Sequence, residues 1–418
     1  MKFKSLVLST AIVLVTLPAV AEDLVLSIGS RGYGPAVERN IESWSAANPE
    51  VSIKWNKVSD VPGDTRKLYV TSMSAKSPSP DIFAIDVIWA GEFAARGWLQ
   101  PLDGLLSQKT IEQFNPALLS AATLNGSVHA LPLYTDGIHF FYRSDLLEKY
   151  GLEVPKTWED VLAASKTIVD GEGNPQFNGF VSMWAKIEGL FMNWLAFTNG
   201  NGGGFFDANG EVAVNSPENI KATQFMVDLL HKHRLAPDSI LNSRPDDART
   251  LFQQGRAAFL MVQDFVHGPL SAEDSPVAGK FDFARVPYFE GNETAGSTTM
   301  GGWFLGINPN SQNKEAAAEF LTYFAGYEQQ LAAAVEDSRA PTIPSVYEDK
   351  AMMSAEVLAK FGKNFDFGVV RPSATTGSNY PKVSETMQLA ISSALNQRES
   401  VEDALNDAQS KIIAILEN

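Results

Sequence analysis

Aromatic residues, carboxylates and an arginine mark four short stretches of this sequence, two of which pair an aromatic with a carboxylate. The four are Asp86-Val-Ile-Trp89, Tyr134-Thr-Asp136, Gly301-Gly302-Trp303 and Arg371-Pro372. An aromatic face covers the apolar C–H side of a pyranose ring, and planar carboxylate and guanidinium groups bind adjacent hydroxyls in pairs. The mixture therefore suits a polyhydroxylated ligand. The same Asp86 and Asp136 could also form the acid pair of a glycoside hydrolase, which needs two carboxylates at a suitable separation. Taken one at a time, each aromatic could equally be core and each charge a surface residue.

Other chemistry has little support. The five histidines are scattered, and His231 and His233, two apart on a predicted helix, point in different directions, as on a solvated helix face. No metal site or cofactor is expected. The Gly-rich run 199–204 reads as a loop: no Gly-Lys-Ser/Thr follows it, and no G-x-G-x-x-G opens a helix after a strand. No G-x-S-x-G elbow is present.

Alternating strands and helices must position these residues. Leu24 to Ile28, Val51 to Trp55 and Asp81 to Ile85 read as strands. Helical patterns around Val37, Ile41 and Trp44 and over Leu68 to Met73 lie between them. This alternation predicts an α/β fold with a parallel sheet, whose ligands sit at the carboxyl ends of the strands. Thr157-Trp-Glu-Asp160 is a capping box, and Ser216-Pro217 reads as a cap followed by a first-turn proline. Ala257 to Val262 and Phe281 to Val286 are expected strands. Residues 315–335, with Phe320, Phe324, Tyr327 and Leu331 at helical spacing, read as one core helix. Gly301-Gly302-Trp303 is expected to precede a strand, and Tyr134 to Asp136 to lie in a loop.

The N-terminus reads as an export signal: basic Lys2 and Lys4, an apolar run from Leu6 to Leu17, then Ala19-Val20-Ala21, with cleavage after Ala21. The apolar run, about a dozen residues, is short for a membrane span. No later segment is long and apolar enough to span a bilayer, so the mature chain should be soluble. The net charge of −16 becomes −18 once Lys2 and Lys4 leave, which disfavours nucleic acid and anionic lipid as partners. The absence of cysteine excludes disulfides, thiol catalysis and a lipid-modified cysteine anchor, and an untethered exported protein fits a periplasm. A mature chain near 400 residues is large for one core, so two domains are expected.

Several stretches in order resemble the bacterial extracellular solute-binding proteins of the sugar class, which includes maltose- and trehalose-binding proteins. They are the run from Asp86 to Asp103, Leu131 to Asp136, Phe141 to Gly151 with Pro155 to Trp158, Phe225 to Leu230, Phe252 to Phe259, and Gly301 to Trp303. The resemblance implies a two-lobe periplasmic-binding-protein fold with a hinge and a ligand cleft between the lobes. It implies a signal peptide at 1–21, lobe one at 22–133 and 288–336, and lobe two at 137–285 and 340–418, with crossings near Pro132 and Pro287. It also implies a monomer that binds a small-molecule sugar, a di- or small oligosaccharide, and delivers it to the membrane permease subunits of an ABC importer. By position, Asp86, Tyr134, Asp136, Gly302, Trp303 and Arg371 match residues lining the sugar cleft. Trp89, Arg66, Phe265 and Trp184 complete the expected ligand-binding set. The sequence departs from the disaccharide binders at Met261 to His267, where Gln263 and Phe265 replace a Trp and a Tyr, and near Arg31 to Pro35, where an acid is missing. Two other readings stay open: a secreted carbohydrate-active hydrolase, and a binding protein for a non-sugar solute such as a polyamine or an organic anion.

Overall fold

The computed structural model of the chain describes residues 22–30, 34–59, 62–337, 339–353 and 356–417. The expected leader at 1–21, its cleavage site and positions 31–33 lie outside the described residues. Among the described residues eleven strands follow in chain order: β1 Glu22–Ile28, β2 Val51–Lys57, β3 Ile82–Asp86, the short pair β4 Thr123–Leu124 and β5 Ser127–Val128, β6 Ala130–Tyr142, β7 Asn178–Ser182, β8 Ala257–Gln263, β9 Asp282–Ala284, β10 Thr298–Ile307 and β11 Gly368–Val369. The main sheet runs β2-β1-β3-β10-β6-β8-β7, with β11 on β10 and β9 on β6.

β1, β2 and β3 are parallel, joined by helices Gly34–Ala47 and Pro62–Ser74, as the alternating pattern predicts. The sheet as a whole is mixed, which corrects the expectation of a parallel one. β10 is antiparallel to both β3 and β6, and β6 is antiparallel to β8. Local patterning cannot foresee this, because β10 returns to the first half of the sheet from far along the chain.

β6 joins the two halves. Thirteen residues extend roughly 40 Å, enough to cross from one half into the other. Ala130–Gly137 pairs with β10, and Ile138–Tyr142 pairs with β8. The change of partner falls at Gly137, where a Cβ would lie 2.7 Å from the Phe365 ring. Pro132 sits inside β6 opposite Phe304, beside a register shift between Trp303 and Phe304. Such an irregularity tolerates a residue without an N–H.

Local signals in the second half were legible. Thr157 and Asp160 form the capping box of helix Trp158–Glu172, and Ser216 caps helix Pro217–His231 with Pro217 in the first turn. The 315–335 stretch is two helices rather than one, Lys314–Phe324 and Tyr327–Asp337, broken at Ala325-Gly326. The apolar period runs through the break, which hides it. The Gln330 side chain donates to the Ala325 carbonyl at 2.8 Å and so satisfies the chain where the helix stops. His231 is not on a solvated face: it is half-buried and bonds the Leu395 carbonyl at 2.8 Å, tying its helix to helix Tyr380–Leu395.

His139, on β6, is buried among Phe361, Phe365 and Phe283, and its Nδ1 pairs with the Asn364 amide at 2.9 Å. Burial pushes its pKa down to about 3. The unfolded chain protonates this histidine near pH 6.5 and the native chain does not. Its contribution to stability is therefore complete above pH 6.5 and is lost as the pH falls. Between pH 6.5 and 5 the loss is about 2 kcal/mol. Urea denaturation at both pH values should show that His139→Gln loses less stability than the parent over this interval; equal losses would assign the acid sensitivity elsewhere.

Candidate functional site

The site is built where strands end. Asp86 is the last residue of β3 and caps helix Val87–Ala95, accepting from the Ile88 N–H at 3.2 Å. Trp303 of β10 lies opposite Asp86 on one side and opposite Tyr134 on the other. The pleat thus sets a carboxylate, an indole and a phenol side by side across three strands. Contrary to the sequence expectation, Tyr134 to Asp136 and Gly301 to Trp303 lie within strands β6 and β10, not in loops or before a strand.

Two glycines make room for this row. A Cβ on Gly301 would overlap the Asp136 carboxylate, and one on Gly302 would lie 2.8 Å from the Tyr134 carbonyl. Gly302 also has φ +154, where a side chain is strained. Trp303 is half-buried and meets Trp89 edge-on, with ring centroids 5.6 Å apart. Trp89 is itself buried, so it backs Trp303 more than it faces the cleft.

Arg371 arrives from the C-terminal segment, just past β11. Its Nη2 bonds Asp86 Oδ1 at 3.1 Å and its Nη1 bonds Glu188 Oε1 at 3.2 Å. The Arg371 side chain is 4 % exposed and that of Asp86 8 %, so this ion pair is shielded from water. Glu188, at the start of helix Glu188–Asn199, also accepts from the Tyr380 and Ser384 hydroxyls. Burial disfavours the charge of Arg371, but Asp86, Tyr380, Glu188 and Asp136 outweigh it, and its pKa is raised. Burial pushes the Asp86 carboxyl up to about 6, against the opposing pull of Arg371 and the Ile88 N–H. Asp136 is also raised by burial, opposed by Arg371 and Arg339. Asp264 is raised well above the usual range by burial and by the charge of Asp136.

Asp86, Tyr134, Asp136, Glu188, Trp303 and Arg371 line a cleft of about 520 Å³. Of the expected set, Asp86, Trp89, Tyr134, Asp136, Gly302, Trp303, Arg371, Arg66 and Phe265 are all brought to it. Arg66 is already engaged: its guanidinium chelates Glu92, with Nη2–Oε2 at 2.6 Å. Trp184 is not brought to the cleft. It is 1 % exposed and packs against Phe180 and Phe197 in the core, while its neighbour Met183 reaches the cleft wall. Sequence reasoning missed Glu188, Arg339 and Lys186, which also line the cleft. Glu188 opens a helix, where acids are common for reasons unrelated to a ligand. Among the described residues, five basic and five acidic side chains line the cleft.

Among the described residues no cluster of His, Asp and Glu fits a metal ion, and no helix is long and apolar enough to cross a membrane.

Two α/β halves sharing long strands, with a cleft where those strands meet, define a two-lobe, hinged binding-protein fold. The chain belongs to the bacterial extracellular solute-binding protein family, whose model matches residues 29–331. A probable ABC transporter-binding protein of Deinococcus radiodurans is 32% identical over 355 residues, 83% of each chain. A mannitol-binding protein of Pseudomonas aeruginosa is 25% identical over 310 residues, 72% of this chain and 69% of that one. The maltose-bound structure of T. maritima MalE3 superposes with a TM-score of 0.88 at 31% identity, covering 94% of this chain and 100% of that one. The family is one of binding proteins, not enzymes, and acts outside the cytoplasmic membrane, in a periplasm or at the cell exterior.

Arg371→Met leaves Asp86 and Glu188 without their guanidinium partner. Removing one member of a buried ion pair costs about 3–5 kcal/mol. Thermal and urea denaturation should show a loss of that size, and Arg371→Met combined with Asp86→Asn should recover part of it. A single variant as stable as the parent would show that the pair does not hold the fold.

Proposed function

We propose that this chain captures a neutral sugar, a disaccharide or small oligosaccharide, and delivers it to the membrane permease subunits of an ABC importer. In this reading it acts as a periplasmic monomer released from its leader after Ala21. Lobe one comprises 22–133 and 288–336, lobe two 137–285 and 340–418, and the lobes close on the ligand. The observation that carries the reading is the row Asp86–Trp303–Tyr134 with Arg371 beside it: an indole face for a sugar ring, flanked by groups that pair with hydroxyls.

The equal numbers of acidic and basic side chains among the described residues of the cleft favour a neutral ligand over a polyamine or an organic anion. The maltose and mannitol named for two of the relatives are neutral and polyhydroxylated. A hydrolase needs a carboxyl free to exchange protons with a substrate, and Asp86 is instead bound by Arg371 and the Ile88 N–H.

A thermal-shift screen over mono-, di- and oligosaccharides should find ligands that raise the melting temperature, since a ligand bound only to the native state stabilises it. Small-angle scattering with the best of them should show a smaller radius of gyration than without. Trp303→Ala should weaken that ligand by about 1–3 kcal/mol. A fall in thermal stability with unchanged affinity would place Trp303 in the core. Recovery of hydrolysed sugar after long incubation would overturn the binding-protein reading.

A further inference from the structure

Gln263 is a neutral polar residue of the cleft. It ends β8, a strand fully buried from Ala257 through Val262 that opens only at this residue. Its register places it opposite Ile138 of β6. Directly opposed side chains of an antiparallel pair share a face, and Tyr134, Asp136 and Ile138 alternate onto one face of β6. Gln263 therefore faces the cleft with Asp136 and Tyr134, and it is part of the cleft lining. β8 is parallel to β7, as β3 is parallel to β1. Gln263 thus holds the place in the second half of the sheet that Asp86 holds in the first: the carboxyl end of a parallel strand, where ligands bind.

The two terminal residues differ in what they are bonded to. Asp86 is held by Arg371 and the Ile88 N–H. The Gln263 Oε1 is buried and has no hydrogen-bond partner among the described residues, and its Nε2 points to the thioether of Met192 at 3.9 Å. A thioether is a weak acceptor. Burying an amide without matched partners costs free energy, and a bound ligand that supplies them returns it.

We infer that Gln263 is a specificity-determining residue of this cleft, whose amide recognises one particular ligand hydroxyl from the second half of the sheet. A hydroxyl both donates and accepts, and so does an amide. Carboxylates only accept and guanidinium groups only donate, so the ionic residues of the cleft do not offer this reciprocal pair. Gln388, the other amide in the cleft lining among the described residues, already donates to the Ser384 hydroxyl at 2.8 Å. The inference rests on the sugar reading above and adds to it that one hydroxyl position is read by a neutral group.

The test titrates the wild-type protein calorimetrically with maltose, trehalose, maltotriose and mannitol, then with the monodeoxy derivatives of whichever binds most tightly. One derivative should lose about 10- to 100-fold relative to its parent. Gln263→Met, which keeps the length of the side chain beside Met192, should lose a similar factor for the parent, bind the parent and that derivative alike, and melt at or above the wild-type temperature. Gln263→Glu, which keeps an acceptor but cannot donate, should also lose affinity for the parent. Wild-type affinity in Gln263→Met, or undiminished discrimination among the deoxy derivatives, overturns the inference while leaving the sugar reading intact. A fall in both melting temperature and affinity in Gln263→Met, with neither in Gln263→Glu, assigns the residue to packing and also overturns it. A folded wild-type protein that binds none of the four overturns the sugar reading, and this inference with it.

Discussion

A guanidinium almost without exposed surface holds carboxylates from both halves of this molecule. Arg371 reaches Asp86 at the end of β3 and Glu188 at the start of the helix that follows β7. Removing these charges from water is costly, and only close pairing with further hydrogen bonds offsets the cost. The surroundings provide both. Tyr380 and Ser384 donate to Glu188, the Ile88 N–H donates to Asp86, and Gly301 leaves room for Asp136 close by. Replacing that glycine, or shortening that arginine, disturbs several buried charges together.

The cleft is consequently made of two kinds of wall. Beside β3 and β10 the groups are held in advance: Asp86 is bonded, Arg66 is chelated by Glu92, and Trp303 is braced by Trp89. A ligand arriving there finds fixed geometry and little side-chain entropy left to lose. Toward β8 the wall is softer, with Met183, Met192, Gln263 and Phe265. Thioether side chains adapt their shape to what they meet. A rigid face and an adaptable face thus meet across one cleft.

Much of this was legible in the residues. The strands β1 to β3, the capping box at Thr157 and the cap at Ser216 follow from patterns of period two, period 3.6 and turn chemistry, while the expected cleft residues follow from their chemistry and from the resemblance to the sugar-class binding proteins. What was not legible depends on partners distant in sequence. The antiparallel insertion of β10 between β3 and β6 leaves no trace in local alternation, so Tyr134 and Trp303 read as loop residues. Trp184 and Met183 are adjacent, and only the path of the chain after β7 sends one to the core and the other to the cleft. The helix break at Gly326 is masked because the apolar spacing continues through it.

The placement of β10 also bears on how the molecule comes into being. The ladder that sets Asp86 beside Trp303 joins residues separated by more than half of the chain, and Arg371 comes later still. Pairings of such long range form slowly, since a large loop must close before any contact rewards it. A growing chain that ends before β10 leaves one side of β3 unmatched. The half of the sheet that looks most self-contained in sequence is therefore unfinished until most of the polypeptide has been made.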